Sequence, residues 1–238
     1  MSGLEPIIGR SSVSTEDEGE HWLSVSDLMA ALMMVFLFVS IALMRSAMID
    51  RDQIREVAIA YQENQIALYN ALVAEFEGDL PRWEAEIDPE TIAFNFRSPD
   101  VLFETGEIEL RPGFREILDD FFPRYLGVLA GFRDSIDEVR IEGHTSSRWN
   151  RFTSSDDAYF KNMVLSQGRT RSVLNYVYRL PGAMHDRDWV KKHVAAVGYS
   201  SSRVVVDGQG QEDAERSRRV SFRVQTNAEA QILRILES

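Results

Sequence analysis

Asp27 is the residue here with the clearest capacity for chemistry, because it lies in an apolar run. Within 22–44, the stretch 28–44 reads LMAALMMVFLFVSIALM, with Ser40 as its one polar residue. As a helix, 22–44 is roughly 34 Å long, enough to cross a bilayer core. An ionised carboxylate about five residues, or roughly 7 Å, inside such a span costs several kcal/mol unless water, a partner or a proton relieves it. As a reversible carrier it can load a proton on one side of a membrane and release it on the other. Each crossing is worth about 2.3 kcal/mol per 100 mV. A lone helix encloses no aqueous path, so this chemistry demands further membrane helices, from copies of the chain or from a second protein. The alternative is that Ser24, Ser26 and Asp27 only cap a helix beginning later, in the interfacial zone.

The elements that must position Asp27 follow from its flanks. About twenty mostly polar residues, Glu16, Asp17, Glu18 and Glu20 among them, precede the run, without the basic start and small-residue cleavage site of a signal peptide. The span therefore reads as an uncleaved anchor. Arg45, Arg51 and Arg55 follow it, and on charge alone the positive-inside rule places the N-terminus outside. Next, Ile54, Val57, Tyr61, Leu68, Leu72 and Phe76 recur at helical intervals until Gly78 and Pro81. This amphipathic continuation either packs on a folded domain or forms a dimerising stalk. The expected organisation is a tail at 1–21, a transmembrane helix at 22–44, a juxtamembrane helical linker at 45–80 and a domain at 81–238.

In that domain TIAFNF at 91–96 predicts a strand, and Phe114, Ile117, Leu118 and Phe121 predict a helix that Pro123 kinks or ends. VRIEG at 139–143, a helix from Asn162 to Tyr178, short strands near 194–198 and 203–206, and VSFRV at 220–224 complete an α+β sandwich with helices on one sheet face. The chain has 238 residues, a hydrophobic content of 44% and a net charge of -12, which argues against nucleic acid as a direct partner. With no cysteine, disulfides and thiolate chemistry are excluded. His144 follows a glycine at a strand end and reads as structural, while His21, His185 and His193 lack metal-ligand spacing, so no metal site is expected. Gly208-Gln209-Gly210 fails as a dinucleotide fingerprint, and no Walker A or G-x-S-x-G sequence occurs. No catalytic constellation and no cofactor are expected. Arg216, Arg218 and Arg219 read either as a patch for anionic polymers or as a solvated run beside Glu212, Asp213 and Glu215.

Two separated segments carry a family resemblance. HWLSVSDLMAALMMVFLF resembles the spanning helix of MotB-type stator subunits. VLFETGEIELRPGFREIL at 101–118, IEGHT at 141–145, N-x-x-L-S-x-x-R from Asn162 to Arg169 and RRVSFRV at 218–224 resemble the OmpA-like peptidoglycan-binding domain. In that group the chain is most similar to the ZorB family of the Zorya anti-phage defence systems. The resemblance implies a single N-terminal transmembrane helix with a helical stalk and an α+β OmpA-like (βαβαββ-type) periplasmic domain. It also implies a homodimer inside a ring, expected to be of five, of MotA-like (ZorA-like) multi-span subunits in the bacterial inner membrane. N-termini would then be cytoplasmic, which overrules the orientation from charge.

By motif, Asp27 is the ion-path residue; its apolar neighbours favour the proton as the ion, with sodium the alternative. Thr145, Ser146, Asn162, Leu165 and Arg169 are the expected peptidoglycan-binding positions. Arg169 matches the family arginine, whose guanidinium can bind a peptide-stem carboxylate, but Ser146 stands where the family has an aspartate. That removes the expected partner of the stem's ammonium group, and Asp156 or Asp157 in the longer stretch 146–161 are candidate substitutes. The structural alternative is that Asn162, Leu165 and Arg169 continue a core stripe through Val173 and Tyr176. Functionally the resemblance implies an ion-driven stator in phage defence, against a flagellar stator, a passive membrane-to-wall tether or, lacking a catalytic constellation, a wall hydrolase.

Overall fold

The computed structural model describes residues 16–97 and 102–227, with side chains from residue 25 onward. Most of the expected tail, and Val101 at the start of the stretch 101–118, lie outside the described residues. The chain divides into two compact units, Met1–Ile54 and Arg55–Ser238.

Between Gly19 and Gly78 the sequence holds no glycine or proline and is rich in Ala, Leu and Met, all strong helix formers. It forms α1, Glu16–Phe76. A helix starting at Glu16 places Asp27 in its interior, so the capping alternative does not hold: an N-cap occupies the non-helical position where a helix begins. Every residue from 25 to 53 is exposed, among them Leu28 and Met33 at 72% and Phe38 at 67%. The helix is long and apolar enough to cross a membrane.

In the second unit the end of α1 is part of the core. Leu68, Leu72 and Phe76, spaced one turn apart, are buried, so this stretch packs on the domain. Arg124 reinforces the contact: its Nε donates to Glu75 Oε1 at 2.7 Å, its Nη1 to Asp79 Oδ2 at 2.8 Å, and its guanidinium lies over the Phe76 ring.

The domain follows as β1 (Ala85–Asp88), β2 (Ala93–Phe96), α2 (Pro112–Ala130), β3 (Ile136–His144), α3 (Ser155–Tyr178), α4 (Arg187–His193), β4 (Val194–Ser200) and β5 (Arg219–Thr226). The sheet order is β1-β2-β5-β3-β4, antiparallel except for β3 with β4, which are joined through α3 and α4. One face carries the core. Phe94, Phe222 and Ile141 stand in register across β2, β5 and β3, and Phe121 and Tyr125 of α2 pack on Phe222. On the opposite face the alternating positions are polar: Arg140 binds Glu138 at 2.6 Å, and Ser221 Oγ donates to Asn95 Oδ1 at 2.6 Å.

The pattern is thus ββαβαββ, one strand more than βαβαββ, because β1, Ala85-Glu-Ile-Asp88, is short and mostly polar and carries no strand signature of its own. Its hairpin turn rests on Asp88, whose Oδ1 accepts from the N–H groups of Glu90 and Thr91 at 2.9 Å. Ile92 has φ 49°, so β2 begins only at Ala93. α2 runs through Pro123 without ending, since Phe121, Phe122, Tyr125 and Leu126 beside it are all buried and their packing outweighs a cost of about 3 kcal/mol. The stretch 203–206 is no strand: Val206 makes one isolated bridge to Glu212, and Asp207 Oδ1 holds the N–H groups of Gln209 and Gln211 in a turn. α3 starts seven residues before the expected Asn162, at Ser155, because Ser154 Oγ accepts the Asp157 N–H at 3.2 Å as its N-cap.

Candidate functional site

The close approach of α3 to the sheet creates the site. Gly143 and Gly198 are paired across β3 and β4, and both lie under α3. A Cβ on Gly143 would meet the Ser166 carbonyl oxygen at 2.8 Å, and one on Gly198 would meet the Gln167 nitrogen at 2.5 Å. Only glycine lets the helix sit this low. The strand tip is then fastened to it: Ser200 N–H donates to Ser166 Oγ at 3.1 Å, Ser200 Oγ to the Tyr159 carbonyl at 2.6 Å, and Thr145 N–H to the Ser200 carbonyl at 2.9 Å.

Above this contact Thr145, Ser146, Asn162, Leu165 and Arg169 line one cavity of about 360 Å³. Asn162 Nδ2 donates to the Ser146 carbonyl at 3.1 Å, so this amide holds the loop backbone in place. Arg169 binds the opposite wall: its Nε donates to the Glu107 carbonyl at 2.9 Å, and its Nη2 to the Glu104 carbonyl at 3.0 Å. Its guanidinium stacks over the Phe103 ring at 4.7 Å. Burial, helped by repulsion from Arg218, pushes its pKa down to about 10, which leaves it a cation at neutral pH. Of five donors two are used, and the outer Nη edge remains for an anion. A core stripe alone does not account for this, since Arg169 spans the cavity rather than packing beneath it.

Six lining residues were not assigned to the site from sequence. Phe103, Thr105 and Gly106 lie in the VLFETG segment, quoted for its resemblance only, and Arg148 and Trp149 in the stretch 146–161. Arg218 belongs to the arginine run, which the fold splits: Arg218 lines this cavity, Arg216 lines another with Arg97, and Arg219 Nη1 donates to the Arg203 carbonyl at 3.3 Å. Neither Asp156 nor Asp157 lines the cavity. Asp157 Oδ2 accepts from Ser154 Oγ at 2.8 Å at the helix cap. His144 is buried on the polar face, 3.2 Å from Glu142 Oε2 and stacked on Tyr199; burial lowers its pKa despite that carboxylate. Asp27 lies in the other unit, exposed on α1.

Arg169→Lys is expected to lose both carbonyl bonds and the fork, loosening 102–110 and lowering stability by about 2 kcal/mol. Thermal melting of the full chain measures the loss.

No family model matches the chain. The Zorya protein ZorB of Escherichia coli is 54% identical to it over 234 residues, covering 98% of this chain and 100% of that protein. The chain belongs to the ZorB family. Two solved structures also resemble this ZorB-family chain. A MotB-like protein from Desulfovibrio vulgaris is 23% identical, with a TM-score of 0.49 over 72% of this chain and 94% of that one. The cell wall anchor of the type VI secretion system of Pseudomonas aeruginosa is 20% identical, with a TM-score of 0.43 over 65% and 96% of the respective chains. The family assignment stands on ZorB.

Proposed function

We propose that this ZorB-family chain is the wall-anchored, proton-conducting stator subunit of an anti-phage defence motor in the bacterial inner membrane. The observation that carries the reading is Asp27 in the interior of an exposed apolar helix, on the same chain as a domain with an arginine-lined cavity. An isolated carboxylate at that depth is a standing cost, and an ion path gives it a use. A passive tether would need Asp27 only as a cap, which a helix starting at Glu16 does not require.

In this reading two copies of the chain lie inside a ring of five MotA-like (ZorA-like) subunits, which enclose the aqueous path one helix lacks. The N-terminus is cytoplasmic and the domain periplasmic, with Arg169 holding a stem carboxylate of peptidoglycan. Protons pass by Asp27, partner helices rearrange, and the wall supplies the fixed point against which the movement does work. The output in a Zorya setting is a signal to cytoplasmic effectors.

Proton flux into vesicles containing the chain and its multi-span partner tests this. An imposed pH gradient should collapse faster with the wild-type pair than with Asp27→Asn, whose side chain keeps the size but carries no titratable proton. Equal decay in both would overturn the ion path.

A further inference from the structure

The end of β5 is fixed in place at the domain's edge. Asn227, just after the strand, donates from its N–H to the Ser135 carbonyl at 3.0 Å and from its Nδ2 to the Asp134 carbonyl at 2.8 Å, in the turn between α2 and β3. Thr226 and Asn227 line a groove of about 330 Å³, distant from the arginine-lined cavity in its residues. The same groove takes in Val57, Ala60, Tyr61 and Asn64 of α1, which recur at i, i+3, i+4 and i+7 and so form one row on one helix face. That row belongs to the same compact unit as the domain. Phe132 and Asp134 add an aromatic and an acidic side chain. The chain therefore passes through the groove lining at Asn227 and continues from there.

The sequence that follows, AEAQILRILES at 228–238, lies outside the described residues. It carries the aliphatic residues Ile232, Leu233, Ile235 and Leu236 and a single base, Arg234. The spacing of 232, 235 and 236 is that of one helix face, and aliphatic side chains gain from leaving water. We infer that residues 228–238 dock in this groove along the α1 row, their aliphatic side chains against Val57, Ala60 and Tyr61 and Arg234 answering the charge of Asp134. Reach and length agree. Residues 228–236 at a helical rise cover roughly 13 Å, and the row from 57 to 64 covers roughly 10 Å. A short tether at Asn227 also gives the segment an effective concentration on the order of millimolar, which a separate partner must exceed. The docked segment clasps the stalk: the 57–64 stretch of α1 is then held to the end of the last strand, in addition to the buried contacts of Leu68, Leu72 and Phe76 one to four turns further on. The clasp involves neither the arginine-lined cavity nor Asp27.

The test is disulfide trapping in the full chain, which has no cysteine of its own. Ala60→Cys is combined in turn with Ile232→Cys, Ile235→Cys and Leu236→Cys, and each variant with a wild-type melt is oxidised in isolated membranes. A bond needs the two Cα atoms within about 7 Å. Gln62→Cys, exposed on the same stretch but off the row, replaces Ala60→Cys as the control. The expected result is a bond within one chain, seen as a faster-migrating monomer without reductant, at a yield roughly fivefold or more above the control. Val57→Asp, which sets a charge against the aliphatic side chains, should lower that yield by roughly threefold or more. A bond that forms only between chains, seen as a dimer band, would give the groove to a second copy and overturn the inference. Equal yields from Ala60→Cys and Gln62→Cys, or no bond in any pair, would overturn it too.

Discussion

Gly198→Val is expected to destabilise the domain by about 3 kcal/mol or more, lowering the melting temperature by at least ~6 °C and abolishing wall binding with it. The reason is steric. Even a single Cβ on Gly198 would lie 2.5 Å from the Gln167 nitrogen, 2.6 Å from Gln167 Cγ and 2.7 Å from Ser166 Oγ, and the first of these is helix backbone that no rotamer change can clear. Gly143 sits beside it in the sheet, where an added Cβ would lie 2.8 Å from both the Ser166 carbonyl oxygen and Thr170 Cγ2, so α3 already sits as low as two glycines allow and has nowhere to move except off the sheet. Lifting α3 breaks the bond from Ser200 N–H to Ser166 Oγ and displaces Asn162 and Arg169 from the loops they hold. Gly198→Ala should cost about 1–3 kcal/mol by the same mechanism. Chemical unfolding of the full chain, followed by circular dichroism, measures both. A Gly198→Val midpoint equal to that of wild type would mean that this close approach does not position the site.

The parts of this protein legible in its sequence are those with strong periodicity or an unusual residue in an ordinary setting. The long helix was legible because nothing between Gly19 and Gly78 breaks it, and Asp27 because a carboxylate stands out against Leu, Met and Phe. Strands β3 and β5 were legible from their alternation. β1 was not, because Ala85–Asp88 has one buried residue, Ile87, and owes its pairing to β2 rather than to any pattern of its own. The continuation of α2 through Pro123 depends on how many aromatic side chains surround that proline in space, which no local rule conveys. The early start of α3 is written in the Ser154-Ser-Asp-Asp157 cap, which lies ahead of the first apolar-periodic residues of the helix.

The cavity was half legible. Five of its residues came from motif positions on two segments, whereas Arg218 comes from the start of the last strand and Phe103 from the loop before α2, more than a hundred residues apart in sequence. Only the fold brings them together. The three arginines of the 216–219 run look alike in sequence but meet different surroundings, since Arg216 lies in a short helical turn, Ala214–Ser217, and only Arg218 and Arg219 are consecutive at the strand entrance, where neighbours face opposite sides.

The most direct measurement of the central claim is phage plating on cells that carry the intact Zorya-type gene cluster with either the wild-type chain or Asp27→Asn, at equal membrane levels. Asparagine is near in size and leaves the cavity untouched, so the variant should still sediment with sacculi. The account predicts that plaquing on Asp27→Asn cells rises to the level of cells lacking the cluster, a complete loss of protection. Protection undiminished by Asp27→Asn would contradict it, leaving the chain a membrane-to-wall tether with no ion path through residue 27.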